Sequence, residues 1–470
     1  MNKIKNNKQG IQKWVLVMGM SFGILTLFFY ALYPWEWGIL DDTPFLRQVR
    51  GLVQQYGLFE GVLRKIQQFA HEDRNYGILR PLFWIYTAII YLWPAKLAYF
   101  IRFVMFLVII LCPLFLNKKH SNPTTLSTFF LALCILSNVA LYNGLFVISL
   151  QEYLGLLFVS IGTVLMFKQN RFIPQNFLCG ICFFLATTSK PVFVAVLFSY
   201  SLLLFYKKNF VRGLFWFLVS IVWILLSAYW SQTGGYAQEI YQFTFERFWK
   251  TIFHFCKLAF VPSIVVCSYL YLLGVPLKKI ASFKNLDGMA LSSLFWIVSG
   301  LFYLILFLPR GVGHGVGYYF APPIYLIFTG ILLYTQASGF YPKKNLPLLA
   351  INCILALSIP TYALTQGFAR EISIRKVRDW MLTLPKQGLH IAANGEHIQL
   401  CFNDLMILNL GSEWKNQMSS LVEAGQKPES LPDYYIIFKR HSRPLTSAMY
   451  EKIFSFPAAE VYKSKKKSMK

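Results

Sequence analysis

The sequence contains little charge. Asp, Glu, Lys and Arg together make up 14% of its 470 residues, whereas hydrophobic residues make up 56%. About a quarter of the residues of a typical soluble domain are charged. The shortage of charge excludes an ordinary soluble enzyme, and the abundance of apolar residues excludes a disordered chain. A multi-pass membrane protein is the class that remains.

Acidic residues are the scarcer of the two signs, 20 against 45 Lys and Arg, which gives a formal net charge of +25. In a soluble protein this excess would suggest nucleic acid as a partner. Here the basic residues form short runs between apolar stretches, as the positive-inside rule predicts for cytosolic loops. We therefore interpret the excess as membrane topology and expect no nucleic-acid partner.

Cysteine is rare outside the apolar stretches. Six of the eight cysteines lie inside them, Cys256 lies just before one, and only Cys401 is in the polar C-terminal part. This placement excludes a disulfide framework, and the CxxC pair Cys179 and Cys182 has no neighbouring His, so we interpret it as helix packing. The absence of disulfides in the outer part favours a bacterial inner membrane over the endoplasmic reticulum.

Apolar segments predict an all-α polytopic membrane protein with about eleven transmembrane helices. They are 14–33, 97–116, 126–142, 145–167, 177–188, 192–206, 214–230, 258–275, 289–308, 319–335 and 346–364. With the lysine-rich amino terminus in the cytosol, alternate loops place the basic runs on the cytosolic side. The segment 81–93 is about 13 residues long, which is too short to cross, and we expect it to lie at the outer interface.

The chain divides into two predicted domains. Residues 1–365 form the transmembrane domain, including a first outer loop, 34–96, with interfacial helices, and residues 366–470 form a small extracytoplasmic domain with a basic tail. Three runs in the second domain have the composition of strands, which predicts an α/β or α+β unit. They are residues 389–394, 404–410 and 433–439.

Two adjacent acids, Asp41 and Asp42, follow the first apolar segment. Like charges this close raise each other's proton affinity, so one can act as a base while a divalent cation offsets the other. The alternative is that Asp42 caps the next helix, since Pro44 stands near the first turn, where proline is favoured. Both acids are candidate catalytic residues and candidate metal ligands.

A second charged group lies later in the same loop, in the segment HEDRNYGILRP. Arg80 has the fork of donors that suits a phosphate, with Arg74 beside it, and Asp73 is suited to orient either one. The alternative for Asp73 and Arg74 is a solvated loop with internal ion pairs.

These segments resemble the C superfamily of glycosyltransferases (GT-C), which includes protein O-mannosyltransferases and the lipid A aminoarabinose transferase. Asp41 and Asp42 stand at the family's acidic pair, and RPLFWIY, with Arg80, is similar to its Lys-Pro-Pro-aromatic segment. Lys190, in TTSKP, resembles its Thr-Lys-Pro turn. The segment PRGVGHGVGYYFAPP resembles its Arg-Tyr-aliphatic-Pro segment and contributes further candidates, which are Arg310, His314, Tyr318 and Tyr319.

The resemblance implies transfer of a sugar from a polyprenyl-phosphate or diphosphate donor to a glycan, lipid or protein acceptor on the far side of the membrane. The loop acid would be the base, and Arg80, Lys190 and Arg310 would hold the phosphate. Lys190 and Arg310 have a simpler interpretation as anchors of helix ends. The rival functions are a polysaccharide flippase or transporter, an O-antigen polymerase or ligase, and a structural scaffold in which the acids are expendable.

Overall fold

The computed structural model describes most of the chain after residue 41 and is 82% helical. The described residues are 42–120, 125–143, 145, 151–167, 173–232, 244–274, 288–310, 318–337, 343, 345–393, 402–404, 406–407, 409–410, 413–420, 432–438 and 450–465. Apolar helices dominate up to residue 363, and a small sheet follows near the C-terminus. The predicted mainly helical class is therefore confirmed.

The α-helices of the described residues are numbered α1 to α14 in chain order. They are α1 (Asp42–Tyr56), α2 (Leu58–Tyr76), α3 (Pro81–Ile90), α4 (Ala95–His120), α5 (Thr125–Leu136), α6 (Val139–Asn143), α7 (Gln151–Phe167), α8 (Ile173–Ser189), α9 (Val194–Tyr206), α10 (Phe210–Gln232), α11 (Phe245–Leu273), α12 (Gly288–Phe307), α13 (Ala321–Ala337) and α14 (Leu346–Leu382). Short 3-10 turns, Pro191–Phe193 and Leu308–Arg310, precede α9 and follow α12.

Six of these helices are long and apolar enough to cross a membrane. The qualifying segments are Ala95–Leu114, Phe210–Gln232, Phe245–Leu273, Ala290–Phe307, Tyr318–Ala337 and Leu346–Ala363. Four other predicted spans correspond to shorter apolar helices, and the span predicted at 14–33 lies outside the described residues. The chain is thus compatible with a multi-pass membrane protein, and the predicted count of eleven spans is not confirmed.

The predicted span 126–142 is interrupted. It consists of two helices, α5 and α6, which are separated at Ser137 and Asn138. Both residues are buried: the Ser137 hydroxyl donates back to the Cys134 carbonyl in the last turn of α5 (2.8 Å), and the Asn138 amide donates to the Ala321 carbonyl at the start of α13 (3.3 Å). Polar side chains that bond backbone carbonyls in this way compete with a regular helix.

Buried hydrogen bonds connect the central helices across an otherwise apolar core. The Trp296 indole on α12 donates to the Thr163 hydroxyl on α7 (3.0 Å), and the Tyr325 hydroxyl on α13 donates to the Ile109 carbonyl on α4 (2.5 Å). Helices α12 and α13 pack tightly because Gly300 has no side chain; a Cβ there would stand 2.7 Å from a side-chain carbon of α13. Four elements distant in sequence therefore form one packed unit.

Helices α1 and α2 form a hairpin that packs on the apolar helices. Gly57 turns the chain in the left-handed region, with φ of 83°, which a residue with a Cβ rarely adopts. The ring of Phe45 in α1 contacts Phe69 in α2 and Phe83 in α3, at centroid distances of 5.1 and 6.5 Å. It also contacts Tyr91, just before α4, at 6.1 Å. The start of α1 is therefore fixed near the start of α4.

A lysine is buried inside this hairpin. The ammonium group of Lys65 donates to the side-chain oxygens of Gln48 (2.5 Å) and Gln68 (3.3 Å), and it lies 3.9 Å from the ring centre of Phe69. Burial lowers the pKa of Lys65 from 10.5 to about 8, although the carboxylate of Glu72, 3.8 Å away, acts in the opposite direction. The hairpin thus contains a charge whose desolvation is only partly offset.

The C-terminal unit contains a mixed sheet in the order β2-β1-β3-β5-β4. Its strands are β1 (Gln387–Ala393), β2 (Lys415–Ser420), β3 (Tyr434–Phe438), β4 (Tyr450–Ser455) and β5 (Ala459–Ser464). Strand β1 runs parallel to β2 and β3, and β5 runs antiparallel to β3 and β4. Helix α14 continues without a break across residue 365 and packs against this sheet.

Two of the three predicted strands, 389–394 and 433–439, correspond to β1 and β3. The strand predicted at 404–410 is wrong, because the described residues between 402 and 410 are helical. Phe402 and Met406 are both fully buried and stand four residues apart, which places them on one face of a helix against the sheet. A short apolar run fits either period, and contact with the sheet selected the helix.

Candidate functional site

Lys190 lies at a break between two helices. Helix α8 ends at Ser189, and Pro191 restricts the residue before it to an extended conformation, with φ of −155° and ψ of 125° at Lys190. The side chain points into the protein and is 5% exposed. Its ammonium group forms an ion pair with Oε1 of Glu152, near the start of α7, whose side chain is 1% exposed. Lys190, for which the alternative interpretation was an anchor of a helix end, is therefore part of a buried ion pair.

Aromatic rings enclose the same ammonium group. The Lys190 Nζ lies 3.6 Å from the ring centre of Tyr319 and 5.8 Å from that of Phe307. The ring of Tyr318 is 4.5 Å from the ring of Tyr319. The faces of aromatic rings attract cations, most strongly where water is excluded. The structure thus brings together three of the predicted residues, Lys190, Tyr318 and Tyr319.

A second buried cation, Arg102 on α4, lies close to this pair. Its guanidinium carbon is 4.1 Å from the ring centre of Tyr153, the residue that follows Glu152. The Tyr153 hydroxyl is within electrostatic range of Arg102, Glu152 and Tyr142. We call Arg102, Glu152, Tyr153, Lys190 and Tyr319 the buried charged cluster. It contains two cations and one carboxylate, so its formal charge is +1.

The cluster contains polar atoms without hydrogen-bond partners among the described residues. Among them are Glu152 Oε2 and the Tyr153 hydroxyl, and the hydroxyl of Tyr142, a neighbour of Tyr153 outside the cluster, has none either. An unsatisfied buried polar group costs about 1–3 kcal/mol, and a native protein has few of them. A polar ligand or a water molecule that donates to Glu152 and accepts from a tyrosine hydroxyl would satisfy these atoms. The cluster is therefore suited to bind a small polar group.

Asp73 and Arg80 form a second buried group, in the first outer loop. Asp73, near the end of α2, is 2% exposed and accepts two hydrogen bonds from the Arg80 guanidinium, each 2.6 Å long. It also accepts one from the indole N–H of Trp84. Arg80 stacks on Phe83 at 4.4 Å. Asp73 thus orients Arg80 in a buried pair that fixes α3 against α2, rather than an ion pair in a solvated loop, while Arg74 is exposed.

The remaining candidates are described only in part. Asp41 and His314 lie outside the described residues, as do the side chains of Asp42 and Arg310. Asp42 is the first residue of α1, and Arg310 is the last residue of the 3-10 turn after α12. Their predicted roles as base and phosphate ligand remain predictions.

Sequence reasoning missed Arg102 and Glu152. Both are ionisable residues inside segments predicted to cross the membrane, 97–116 and 145–167. Ionisable residues in such segments are costly to bury, and they usually indicate a functional site. This signal was sufficient to find them, whereas their proximity to Lys190 was not visible in the sequence.

A metal site is not formed by the residues that the structure describes: no three His, Cys, Asp or Glu side chains among them converge. The side chains of the predicted pair of metal ligands, Asp41 and Asp42, lie outside the described part of the chain. The divalent cation therefore stays a prediction.

Comparison with known proteins gives no family for this chain: no protein-family model matches it, and no curated protein is significantly similar to it.

Proposed function

We propose that this chain is an integral-membrane glycosyltransferase that transfers a sugar from a polyprenyl-phosphate or diphosphate donor to an acceptor hydroxyl or amine. The observation that supports the proposal most is the buried charged cluster, in which Lys190 and Arg102 lie next to aromatic rings near the ends of apolar helices. A lipid-linked phosphate needs fixed positive charge at the boundary between an apolar and a polar region.

The cluster has the electrostatics that a leaving phosphate requires. As the bond between sugar and phosphate breaks, negative charge develops on the phosphate oxygens, and cations that are already in place stabilise it without reorganisation. Glu152 and Tyr319 fix the position of the Lys190 ammonium. The remaining formal charge of the cluster, +1, is of the sign that attracts an anionic headgroup.

The base in this proposal is Asp41 or Asp42, as the resemblance to GT-C enzymes implies. Helix α1 begins at Asp42, and the contact between Phe45 and Tyr91 places its first turn near the start of α4, the helix that contains Arg102. Arg102 is seven residues into α4, about 10 Å along the axis. This arrangement supports an acid and a phosphate site at the same end of the bundle.

The donor's isoprenoid chain has a suitable groove between α4 and α7. The groove has a volume of about 250 Å³ and an apolar surface. Its lining residues are Val108, Leu111, Cys112, Ser160, Ile161, Val164 and Leu165. It begins about two turns after Arg102 on α4 and after Tyr153 on α7. If the donor's phosphate lies near Arg102, the attached isoprenoid chain can therefore extend into the groove along the same two helices.

The remaining parts of the proposal follow from the resemblance. The acceptor would be a glycan, a lipid or a protein, and the reaction would take place on the extracytoplasmic face of a bacterial inner membrane. The first-loop helices and the C-terminal unit would lie on that face, with the amino terminus in the cytosol.

A transfer assay with the full chain in lipid nanodiscs tests the enzyme proposal. The donor is a polyprenyl-phosphate sugar with a radiolabelled sugar, and turnover is compared among wild type, Asp41→Asn and Asp42→Asn. Removal of a general base costs about 10²- to 10⁴-fold, so at least one variant should lose transfer while it is still inserted and folded. Arg64→Gln, an exposed change on α2, is the control. Full turnover in both Asn variants contradicts the proposal.

A second candidate function, a flippase or transporter of lipid-linked saccharides, is favoured by two observations. Arg102, Glu152 and Lys190 are buried within the bundle, and the span 126–142 is interrupted at Asn138. Transporters commonly have ionisable residues and broken helices at their substrate sites. In proteoliposomes a transporter would move labelled lipid-linked sugar between leaflets without an acceptor, and Asp41→Asn with Asp42→Asn would leave that movement intact.

A further inference from the structure

The C-terminal unit is constructed on the end of the last membrane helix. Three residues from the final turns of α14, Ile374, Val377 and Met381, are buried in the core of the unit with the strands. The backbone N–H of Ala458 also donates to the hydroxyl of Ser373 on α14 (2.8 Å). Since the helix is continuous, the unit is held close to the bundle.

An ion pair connects this unit to the first outer loop. The Arg47 guanidinium on α1 lies 2.7 Å from the Asp404 carboxylate. The Asp404 side chain is 13% exposed and that of Arg47 is 42% exposed. Phe402, two residues earlier and fully buried against the sheet, fixes the segment that contains Asp404. The contact therefore joins two parts of the chain more than 350 residues apart in sequence.

Loss of one partner from this pair should cost more free energy than loss of one partner from an exposed surface pair, because Asp404 is mostly buried. Burial raises the pKa of Asp404, and the charge of Arg47 acts in the opposite direction. A carboxylate in this environment depends on its cationic partner more than a solvated one does, because removal of the partner leaves a poorly hydrated charge.

Helix α1 is suited to transmit the position of this contact. Leu46 and Val49 are buried, and Phe45 packs into the aromatic cluster with Phe69 and Phe83, so one face of the helix is attached to the bundle. Arg47 is on the exposed side of the helix and contacts the C-terminal unit. The first residue of α1 is Asp42, five positions before Arg47.

We propose that Arg47 and Asp404 are positioning residues through which the C-terminal unit holds the start of α1 in place. The inference rests on the proposed glycosyltransferase function for its consequence, which is that the acidic segment is aligned with the buried charged cluster only while the unit is docked. Neither residue is assigned a contact with the donor or the acceptor.

Hydrogen exchange and kinetics together test this proposal on the full chain in nanodiscs. In Arg47→Gln, which leaves the poorly hydrated Asp404 carboxylate without its partner, exchange of the amides of α1 should increase about fivefold, the factor that corresponds to loss of about 1 kcal/mol. Turnover of a polyprenyl-phosphate sugar should fall, with kcat reduced and the donor KM unchanged. The reversed pair, Arg47→Asp with Asp404→Arg, should restore both quantities toward wild type.

The chain provides a matched control in Glu413→Gln, which removes an exposed carboxylate from the same unit and frees Lys386. Exchange of α1 should not change in that variant. Unchanged exchange of α1 in Arg47→Gln, or a reversed pair that behaves no better than the single variants, overturns the proposal. If wild type shows no transfer but exchange responds as described, the enzyme function fails and the coupling of the two parts stands.

Discussion

Removal of Glu152 should destabilise the bundle strongly. Glu152→Gln leaves the Lys190 ammonium buried without its carboxylate partner, in a cluster whose other charged residue is the cation Arg102. Loss of one partner from a buried ion pair costs about 3–5 kcal/mol, because the remaining charge is desolvated and uncompensated. Lys190→Met should cost less, because the cluster then keeps one cation, Arg102, and one carboxylate, whereas Glu152→Gln leaves two cations and no carboxylate.

Thermal unfolding in detergent measures this effect. Unfolding is monitored through the reaction of buried thiols with a fluorescent maleimide. Cys112, Cys134 and Cys179 are buried and become reactive only when the bundle opens. Cys256 and Cys267 are exposed and Cys182 and Cys353 are partly exposed, so these four and Cys401 are first replaced by Ser to remove the background signal. The midpoint should fall most for Glu152→Gln and less for Lys190→Met.

A double-mutant cycle provides the refutation. If Glu152 and Lys190 interact as the structure shows, the double variant should be more stable than the sum of the two single losses predicts. The difference should be about 0.5–3 kcal/mol, the range found for residues in contact. Additive losses would contradict the ion pair. Equal and small losses would contradict the burial of both charges.

Three further predictions concern other parts of the chain. Arg80→Lys loses the two-pronged contact with Asp73, so the α2–α3 loop should be cut faster by protease. The pKa of Lys65 is about 8 in the folded protein and 10.5 in the unfolded chain, so the unfolded state binds more protons between these pH values. The stability of the α1–α2 hairpin should therefore rise by up to about 3 kcal/mol from pH 8 to pH 10.5. Hydrogen exchange, corrected for the intrinsic effect of pH, measures this stability, and Lys65→Met should abolish its rise. Gly180→Ala places a Cβ 2.0 Å from an indole of α10 and should lower the midpoint of thermal unfolding, whereas Gly51→Ala, with nothing within 4 Å, should raise it slightly.

The contrast between two charged groups shows how far sequence reasoning reached. Asp73 and Arg80 are seven residues apart, and local spacing was sufficient to pair them, although not to show that the pair is buried. Glu152 and Lys190 are 38 residues apart on different helices, and their contact depends on how α7 and α8 pack. Pairing at that distance has no signature in a single sequence.

Helix continuity was also beyond local pattern. The span 126–142 is uniformly apolar enough to predict one helix, yet the carbonyl of Ala321 on a distant helix accepts a hydrogen bond from Asn138 where the chain breaks. Similarly, the run 404–410 fits a strand by composition, and its helical form depends on packing against β-strands.

The sequence by itself determined the mainly helical class, the positions of most of the apolar helices and the small strand-containing unit at the C-terminus. These properties follow from composition and periodicity, which are local and additive along the chain. Only the tertiary structure decided that Lys190 is paired with Glu152 beside Arg102, and that Arg47 contacts Asp404. Such contacts depend on the packing of elements far apart in sequence, where burial changes the energy of a charge far more than its neighbours in the chain do.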